Sequence, residues 1–307
     1  MATLSRLPVP EAVERIARTL EEAGHQAWCV GGALRDALLG HPQSDVDIAT
    51  SATPEQVQAL FRKTVPVGIR FGTVGVLDRE RRLHEVTTFR KDVETDGRHA
   101  VVQYGVSLED DLARRDFTIN ALAYHPLRHE WRDPFHGVDD LDAGLIRAVG
   151  EPAERFREDY LRILRALRFA ARLGFRIDAA TWDAACALAP GLRGLSAERV
   201  REEWYKGVQT AARLEELARL WRDAGAATVW LPELRAEIPP VPLGERDPVL
   251  VTVLATDDPV QVLRRLKASN AEIARAQALV EAPAHPVAGD ERAVRRWLAR
   301  AGDAADD

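Results

Sequence analysis

Between residues 29 and 50 the chain reads CVGGALRDALLGHPQSDVDIAT. The residues Ala27-Trp28-Cys29-Val30 form a short strand signal that ends at the pair Gly31-Gly32. A helical stretch runs on to about Gly40, and a second strand is predicted over Asp45 to Ala49. Side chains alternate along a strand, so Asp45 and Asp47 share one face while Val46 and Ile48 point into the core. Carboxylates held side by side repel each other unless a cation lies between them. Magnesium, a hard ion that prefers oxygen ligands, is the usual occupant where phosphates are also present. Gly31 and Gly32 carry no side chains, so a phosphate can approach their backbone, and the helix that follows offers free N–H donors. An isolated Asp-x-Asp is mostly a solvated surface pair and an isolated Gly-Gly mostly a turn. Together, as strand–GG–helix–strand–DxD, they form a candidate site for a triphosphate beside metal ions. One ion would activate an attacking hydroxyl, and a second would stabilise a departing pyrophosphate.

Working outward, Pro10 to Gly24 has the apolar spacing of an amphipathic helix, with Val13, Ile16, Ala17 and Leu20 on one face. Thr53-Pro54-Glu55 opens another helix with proline in its first turn. Two β-rich stretches follow, Gly72 to Leu77 and Leu83 to Phe89. This alternation predicts an α/β head built on a mixed sheet. Beyond about residue 137 the strand signal fades. Helical periodicity covers Arg155–Leu173, Ala179–Leu188, Ala197–Val208 and Leu214–Ala224. The predicted class is therefore α+β. A catalytic head spans 1–137, a helical neck 138–205 and a helical body 206–307, whose last residues, Gly302–Asp307, read as a tail.

The 307 residues suffice for two or three domains with a substantial core. At 46% hydrophobic and 29% charged, the composition is that of a soluble globular protein. No apolar stretch is long enough to span a bilayer, and the N-terminus lacks the features of a signal peptide. Cys29 and Cys186, the two cysteines, have no metal-ligand spacing, and a cytoplasmic setting is expected. The net charge of −6 does not exclude a nucleic-acid partner, because charges can be segregated. The strongest basic patch is Arg155 to Arg176, with seven arginines against two acids. The eight histidines show no metal spacing and read as satisfied polar residues.

The first half resembles the head domain of the class II tRNA nucleotidyltransferases and bacterial poly(A) polymerases, within the DNA polymerase beta superfamily. CVGGALRDALLG at 29–40 and SDVDIATSATPEQV at 44–57 carry the likeness. The resemblance implies that Asp45 and Asp47 bind the catalytic Mg2+ and that Gly31, Gly32 and Arg35 lie at the nucleotide. It also implies a third carboxylate from a neighbouring strand. HEVTTFR at 84–90 matches that strand, making Glu85 the candidate against a plain structural glutamate. RRDFTINALAY at 114–124 matches the second family motif, which places Arg115, Asp116 and Asn120 at the nucleotide.

From Arg155 to Phe169 the chain reads as one helix, with Tyr160, Ile163, Leu164 and Leu167 on its apolar stripe. Asp159 and Arg162, three apart, would share another face. Alone they would read as a surface ion pair contributing about 0–1 kcal/mol. The family's nucleotide-recognition motif has the form Glu-Asp-x-x-Arg, matched by Glu158, Asp159 and Arg162. An aspartate can accept from the exocyclic amino group of cytosine or adenine while an arginine donates to ring acceptors. Uracil and guanine present a different edge, and a misfit leaves polar groups unpaired. Arg165, a turn further along, could reach the triphosphate. Glu198-Arg199 resembles the motif that braces this helix.

The resemblance covers about residues 25–205 in five ordered blocks. It implies an enzyme that adds cytidine, adenosine or both to the 3′ end of tRNA from CTP and ATP. No membrane and no obligate protein partner are indicated. A CC-adding enzyme, a poly(A) polymerase and an inactive RNA-binding relative are the alternatives. The chain ends in AGDAADD and its last hundred residues are not strongly basic, unlike the long basic extension of the polymerases. That favours tRNA, with the acceptor stem read by shape and backbone along the helical half. The loop Lys91 to Ser107 retains Asp96-Gly97-Arg98-His99, seen in relatives that add adenosine, which favours CCA or A addition over CC alone.

Overall fold

The computed structural model describes residues 6–41, 45–95 and 100–281. The chain divides into two compact units, Met1–Asp159 and Tyr160–Asp307.

The first unit opens with α1 (Glu11–Glu22), whose Ala12, Val13, Ile16, Ala17 and Leu20 are buried at helical spacing. Then come β1 (Ala27–Val30), α2 (Gly32–Leu38), β2 (Asp47–Thr50) and α3 (Pro54–Leu60). Thr53 starts α3 with a reciprocal cap: its hydroxyl accepts from the Gln56 N–H, and the Gln56 side chain accepts from the Thr53 N–H. β3 (Thr64–Gly68), β4 (Thr73–Leu77) and β5 (Leu83–Thr88) follow, then β6 (Arg90–Thr95) and β7 (Ala100–Tyr104). α4 (Leu108–Ala113), β8 (Ala123–Tyr124), β9 (Trp131–Arg132), α5 (Gly137–Asp142) and α6 (Pro152–Glu158) complete the unit.

Seven strands form one sheet in the order β3-β4-β5-β2-β1-β8-β9. β2 runs parallel to β5 while β1 pairs antiparallel with β2, so the sheet is mixed, as the sequence predicts. On one face Trp28, Val30, Ala49, Phe89, Ala121 and Ala123 pack with Leu108 and Leu112 of α4. That core covers the β2-β1-β8 half of the face.

Three local expectations are corrected. β2 begins at Asp47, so Asp45 sits in the segment just ahead of it. Much of the stretch 91–107, expected as a loop, is the antiparallel hairpin β6–β7. Asp96 to His99 lie outside the described residues. The helix expected over Arg155–Leu173 is two helices, α6 and α7 (Leu161–Leu173), because Asp159 is extended at φ −155° and ψ 104°. The neighbouring Tyr160 lies against Gly191, where a Cβ would come within 2.0 Å of the tyrosine ring.

The second unit is built of helices: α7, α8 (Ala179–Leu188), α9 (Ala197–Thr210), α10 (Leu214–Asp223), α11 (Ala226–Trp230), α12 (Pro248–Ala255), α13 (Pro259–Arg265) and α14 (Asn270–Glu281). Ile163, Leu164, Leu167 and Ala170 of α7 are buried. Trp204 of α9 and Trp221 of α10 meet edge to face at 5.3 Å, and the Trp204 indole donates to Thr252 Oγ1 at 3.0 Å. Among the described residues, no helix is long and apolar enough to cross a membrane.

Candidate active site

One row of the pleat organises the site. Val65 of β3 faces Gly75 of β4, Gly75 faces Glu85 of β5, and Val30 of β1 faces both Asp47 of β2 and Ala123 of β8. The register Ile48–Val86 between the parallel strands β2 and β5 sets Asp47 level with Glu85. Ile48 and Val86 are buried beneath the sheet, so Asp47 and Glu85 point together to the other face, where both are exposed. Asp45 is exposed just ahead of them.

The three carboxylates feel one another. Asp47 has its pKa pushed up to about 6, first by the burial of its carboxyl among protein atoms and next by the charge of Glu85. Arg115 opposes the shift and Asp45 adds to it. The residue as a whole stays exposed, so its carboxyl is crowded at the base of an open site. Repulsion of this kind is what a cation relieves. Among the described residues, no cluster of three or more His, Cys, Asp or Glu side chains could hold an ion unaided. Magnesium does not require one: it usually takes one or two carboxylates, keeps several waters and borrows substrate phosphates. Two aspartates with a third carboxylate nearby fit such an ion.

The glycine turn lies at the same point. Gly31 has φ +85°, which a side chain would strain. A Cβ there would stand 3.3 Å from Arg115 Nη1 and 3.6 Å from Asp47 Oδ2. Carboxylate and guanidinium thus converge over bare backbone. Arg115 Nη2 donates to Asp111 Oδ2 at 3.3 Å and Nη1 to the Asn120 carbonyl at 3.4 Å. Among the described residues, its buried Nε has no hydrogen-bond partner, an unmet donor suited to an anion.

Behind this lies a buried polar chain. Asn120 Nδ2 donates to Asp116 Oδ1 at 3.0 Å, and Arg35 Nη1 donates to Asn120 Oδ1 at 2.7 Å. Asp36 Oδ1 accepts from Arg35 Nε at 3.0 Å and from Nη2 at 2.8 Å. Arg35, expected at the nucleotide, is therefore buried and committed to Asp36 and Asn120. In this structure it braces Asn120.

Two residues that sequence reasoning missed hold the site's arginines. Asp111, buried on α4, accepts from Arg114 at 2.9 Å and from Arg115 at 3.3 Å. The adjacent guanidinium groups hold its carboxyl below the usual range despite burial. Its spacing, three and four residues ahead of the two arginines, is the signal that could have found it. In the second unit, Glu203 of α9 is buried, 2.5 Å from Arg168 Nε and 3.7 Å from Arg165 Nη1. Arg165, expected to reach the triphosphate, thus shares Glu203 and lies over the Phe169 ring at 5.3 Å. Glu198, expected with Arg199 to brace α7, pairs with Lys267 at 3.0 Å, and Glu203 joins α9 to α7 through Arg168 and Arg165. Arg199 lies one residue beyond Glu198 on α9.

The recognition motif is split by the helix break. Glu158 ends α6 and accepts from Arg155 at 2.9 Å, beside a small cavity lined by Lys91, Asp110, Ala113 and Arg114. Asp159 closes the first unit in extended conformation, and Arg162 lies in the first turn of α7. They do not sit on a single helix face as the spacing predicts.

Residues 27–147 match the family described as "Poly A polymerase head domain", and residues 174–238 match "Probable RNA and SrmB- binding site of polymerase A". The chain is 51% identical over 203 residues to a CCA-adding enzyme of Leuconostoc mesenteroides, a match covering 64% of this chain and 50% of the relative. It is 47% identical over 206 residues to the CCA-adding enzyme of Lactiplantibacillus plantarum, covering 66% and 50%. The chain therefore spans about half the length of the curated relatives it matches. The crystal structure of the Bacillus stearothermophilus CCA-adding enzyme in complex with CTP superposes with a TM-score of 0.82 at 37% identity, covering 95% of this chain and 75% of that one. With sequence and fold in agreement, the chain belongs to the family of the CCA-adding enzymes and carries a poly A polymerase head domain over residues 27–147.

Proposed function

We propose that this chain is a template-independent tRNA nucleotidyltransferase that adds cytidine, adenosine or both to the tRNA 3′ end from CTP and ATP. The observation that carries the reading is the convergence of the Asp47 carboxylate and the Arg115 guanidinium over the bare backbone of Gly31. Support also comes from the relatives' shared description as CCA-adding enzymes and from the CTP complex of one of them.

In this reading Asp45 and Asp47 hold Mg2+, with Glu85 adding negative charge beside them. The ion supplies Lewis-acid stabilisation of the charge that develops on phosphate oxygens. Gly31 and Gly32 leave room for the triphosphate, and the buried Arg115 Nε and its neighbours meet its oxygens. Asp116, held by Asn120, orients the nucleoside. Asp159 and Arg162 read the base edge, and Glu158 anchors that segment through Arg155. Arg165, Arg168 and Glu203 fix the helix that carries Arg162. The domain assignment follows: a head over 1–137, a neck over 138–205 that selects the nucleotide, and a body over 206–307 along which tRNA lies, in a cytoplasmic enzyme.

The test supplies tRNAs that lack the whole CCA end, its last two nucleotides or only the final A, with labelled CTP and ATP. Extension of the A-lacking tRNA by ATP is expected. Incorporation of neither nucleotide into any of the three would overturn the reading. Asp111→Asn should loosen Arg115 and raise the KM for CTP and ATP about tenfold, with a smaller change in kcat, as loss of one charge-assisted contact implies. Steady-state kinetics at saturating tRNA would check this.

A further inference from the structure

The carboxylate row continues past Glu85 onto Gly75 and Val65, which carry no charge. Gly75 is opposite Glu85, and Val65 is opposite Gly75. A Cβ on Gly75 would lie 2.5 Å from Leu83 Cδ1 and 2.8 Å from Val67 Cγ2. Leu83 and Val67 therefore close over the glycine on the same face as Glu85. Val65 is 39% exposed, Val67 44% and Leu83 41%, which is high for large apolar residues on a sheet. Among the described residues, the core cluster that covers this face over β2, β1 and β8 does not include Val65, Val67 or Leu83. Lys63 stands exposed at the start of β3.

We infer that this ledge of Val65, Val67 and Leu83 over Gly75 receives the 3′-terminal nucleoside of the RNA being extended. The inference rests on the nucleotidyltransferase reading above. Its physical basis is direction. Arg115, Asp116 and the Gly31 turn all lie on the β1–β8 side of Asp47, so the triphosphate occupies that side. Phosphoryl transfer sets the attacking and leaving oxygens roughly in line. The attacking 3′ hydroxyl must then approach from the opposite side, over β4 and β3. Adjacent strands are about 4.8 Å apart, so Gly75 and Val65 lie roughly 5 and 10 Å from Glu85, within the reach of one nucleotide. An apolar ledge gives a base an aliphatic surface to pack against without hydrogen-bond preference, which suits a terminal residue that changes after each addition. Lys63 at its end matches the phosphate charge. Gly75 is required because a side chain there would displace both Val67 and Leu83.

The test combines a double variant with a crosslink. Val67→Asp with Leu83→Asp puts two negative charges on already exposed positions. The KM for tRNA lacking CCA is expected to rise roughly tenfold, with the KM for CTP changed less than about twofold and the melting temperature held. A tRNA ending in 4-thiouridine should crosslink in the unmodified protein to 63–67 or 83–85, which does not depend on the variant folding. A crosslink elsewhere, with an unchanged KM for tRNA, overturns the ledge. So does a wild-type dimer that the variant turns into a monomer at unchanged KM, since the ledge would then belong to a second copy. Crosslinking here by a protein that incorporates no nucleotide would sustain the ledge and remove the enzymatic reading instead.

Discussion

Asp47→Asn is expected to lower kcat for nucleotide incorporation about a thousandfold or more while leaving the fold intact. A bound metal supplies several kcal/mol of transition-state stabilisation, and about 4 kcal/mol corresponds to a factor of roughly a thousand. Asp47 is exposed at the first position of β2, so no core packing is lost. Stability should move in the opposite sense to activity. Burial and Glu85 raise the Asp47 pKa from 3.8 to about 6, so in the metal-free protein its ionised form opposes folding. Metal-free stability should fall as pH rises from about 4 to about 6, because over that window the folded state binds the proton more tightly than the unfolded chain. Asparagine removes that loss, and thermal melts with and without divalent metal would register it. A variant with wild-type turnover would refute the metal role.

Glu203→Ala should strongly destabilise the helical unit. Glu203 is buried against the Arg168 guanidinium and is shared with Arg165. Removing one partner of a buried ion pair costs about 3–5 kcal/mol, because the remaining charge loses its compensation. At roughly 2–4 °C per kcal/mol, a loss of 3 kcal/mol lowers the melting temperature by about 6–12 °C. Glu198→Ala, which breaks an exposed pair with Lys267, should cost under about 1 kcal/mol. Calorimetry on both variants tests which acid of α9 braces α7. Equal, small losses would remove the brace from Glu203, and a larger loss in Glu198→Ala would assign it to Glu198.

Much of the head could be read from short-range pattern. β1, β4 and β5 and the helices α1 and α3 announce themselves by periodicity, capping residues and glycine stops. Strand alternation accounts for Asp47 at the first position of β2 but not for Asp45, which lies just ahead of the strand, and the family resemblance placed Glu85 on the neighbouring strand β5. β3 escaped because Pro66 interrupts it and Val65 and Val67 are exposed, which leaves no in-out alternation to detect. The hairpin β6–β7, read as a loop, pairs only its own two strands in a separate two-stranded sheet. The break at Asp159 carries neither glycine nor proline, so periodicity ran straight through it. For Arg35, Arg165 and Glu198 a motif gives the residue's position, whereas its partner in the fold is chosen by whatever packs against it. Asp36 and Asn120, Glu203, and Lys267 are those partners.

In the proposed function, Asp47 and its neighbouring carboxylates hold a divalent ion against an incoming triphosphate. Electron paramagnetic resonance of Mn2+, titrated into the wild type and into Asp47→Asn with CTP present, tests it directly. Tight, CTP-dependent Mn2+ binding in the wild type, weakened at least about tenfold in the variant, is the expected result. Identical Mn2+ binding by the two proteins would contradict it.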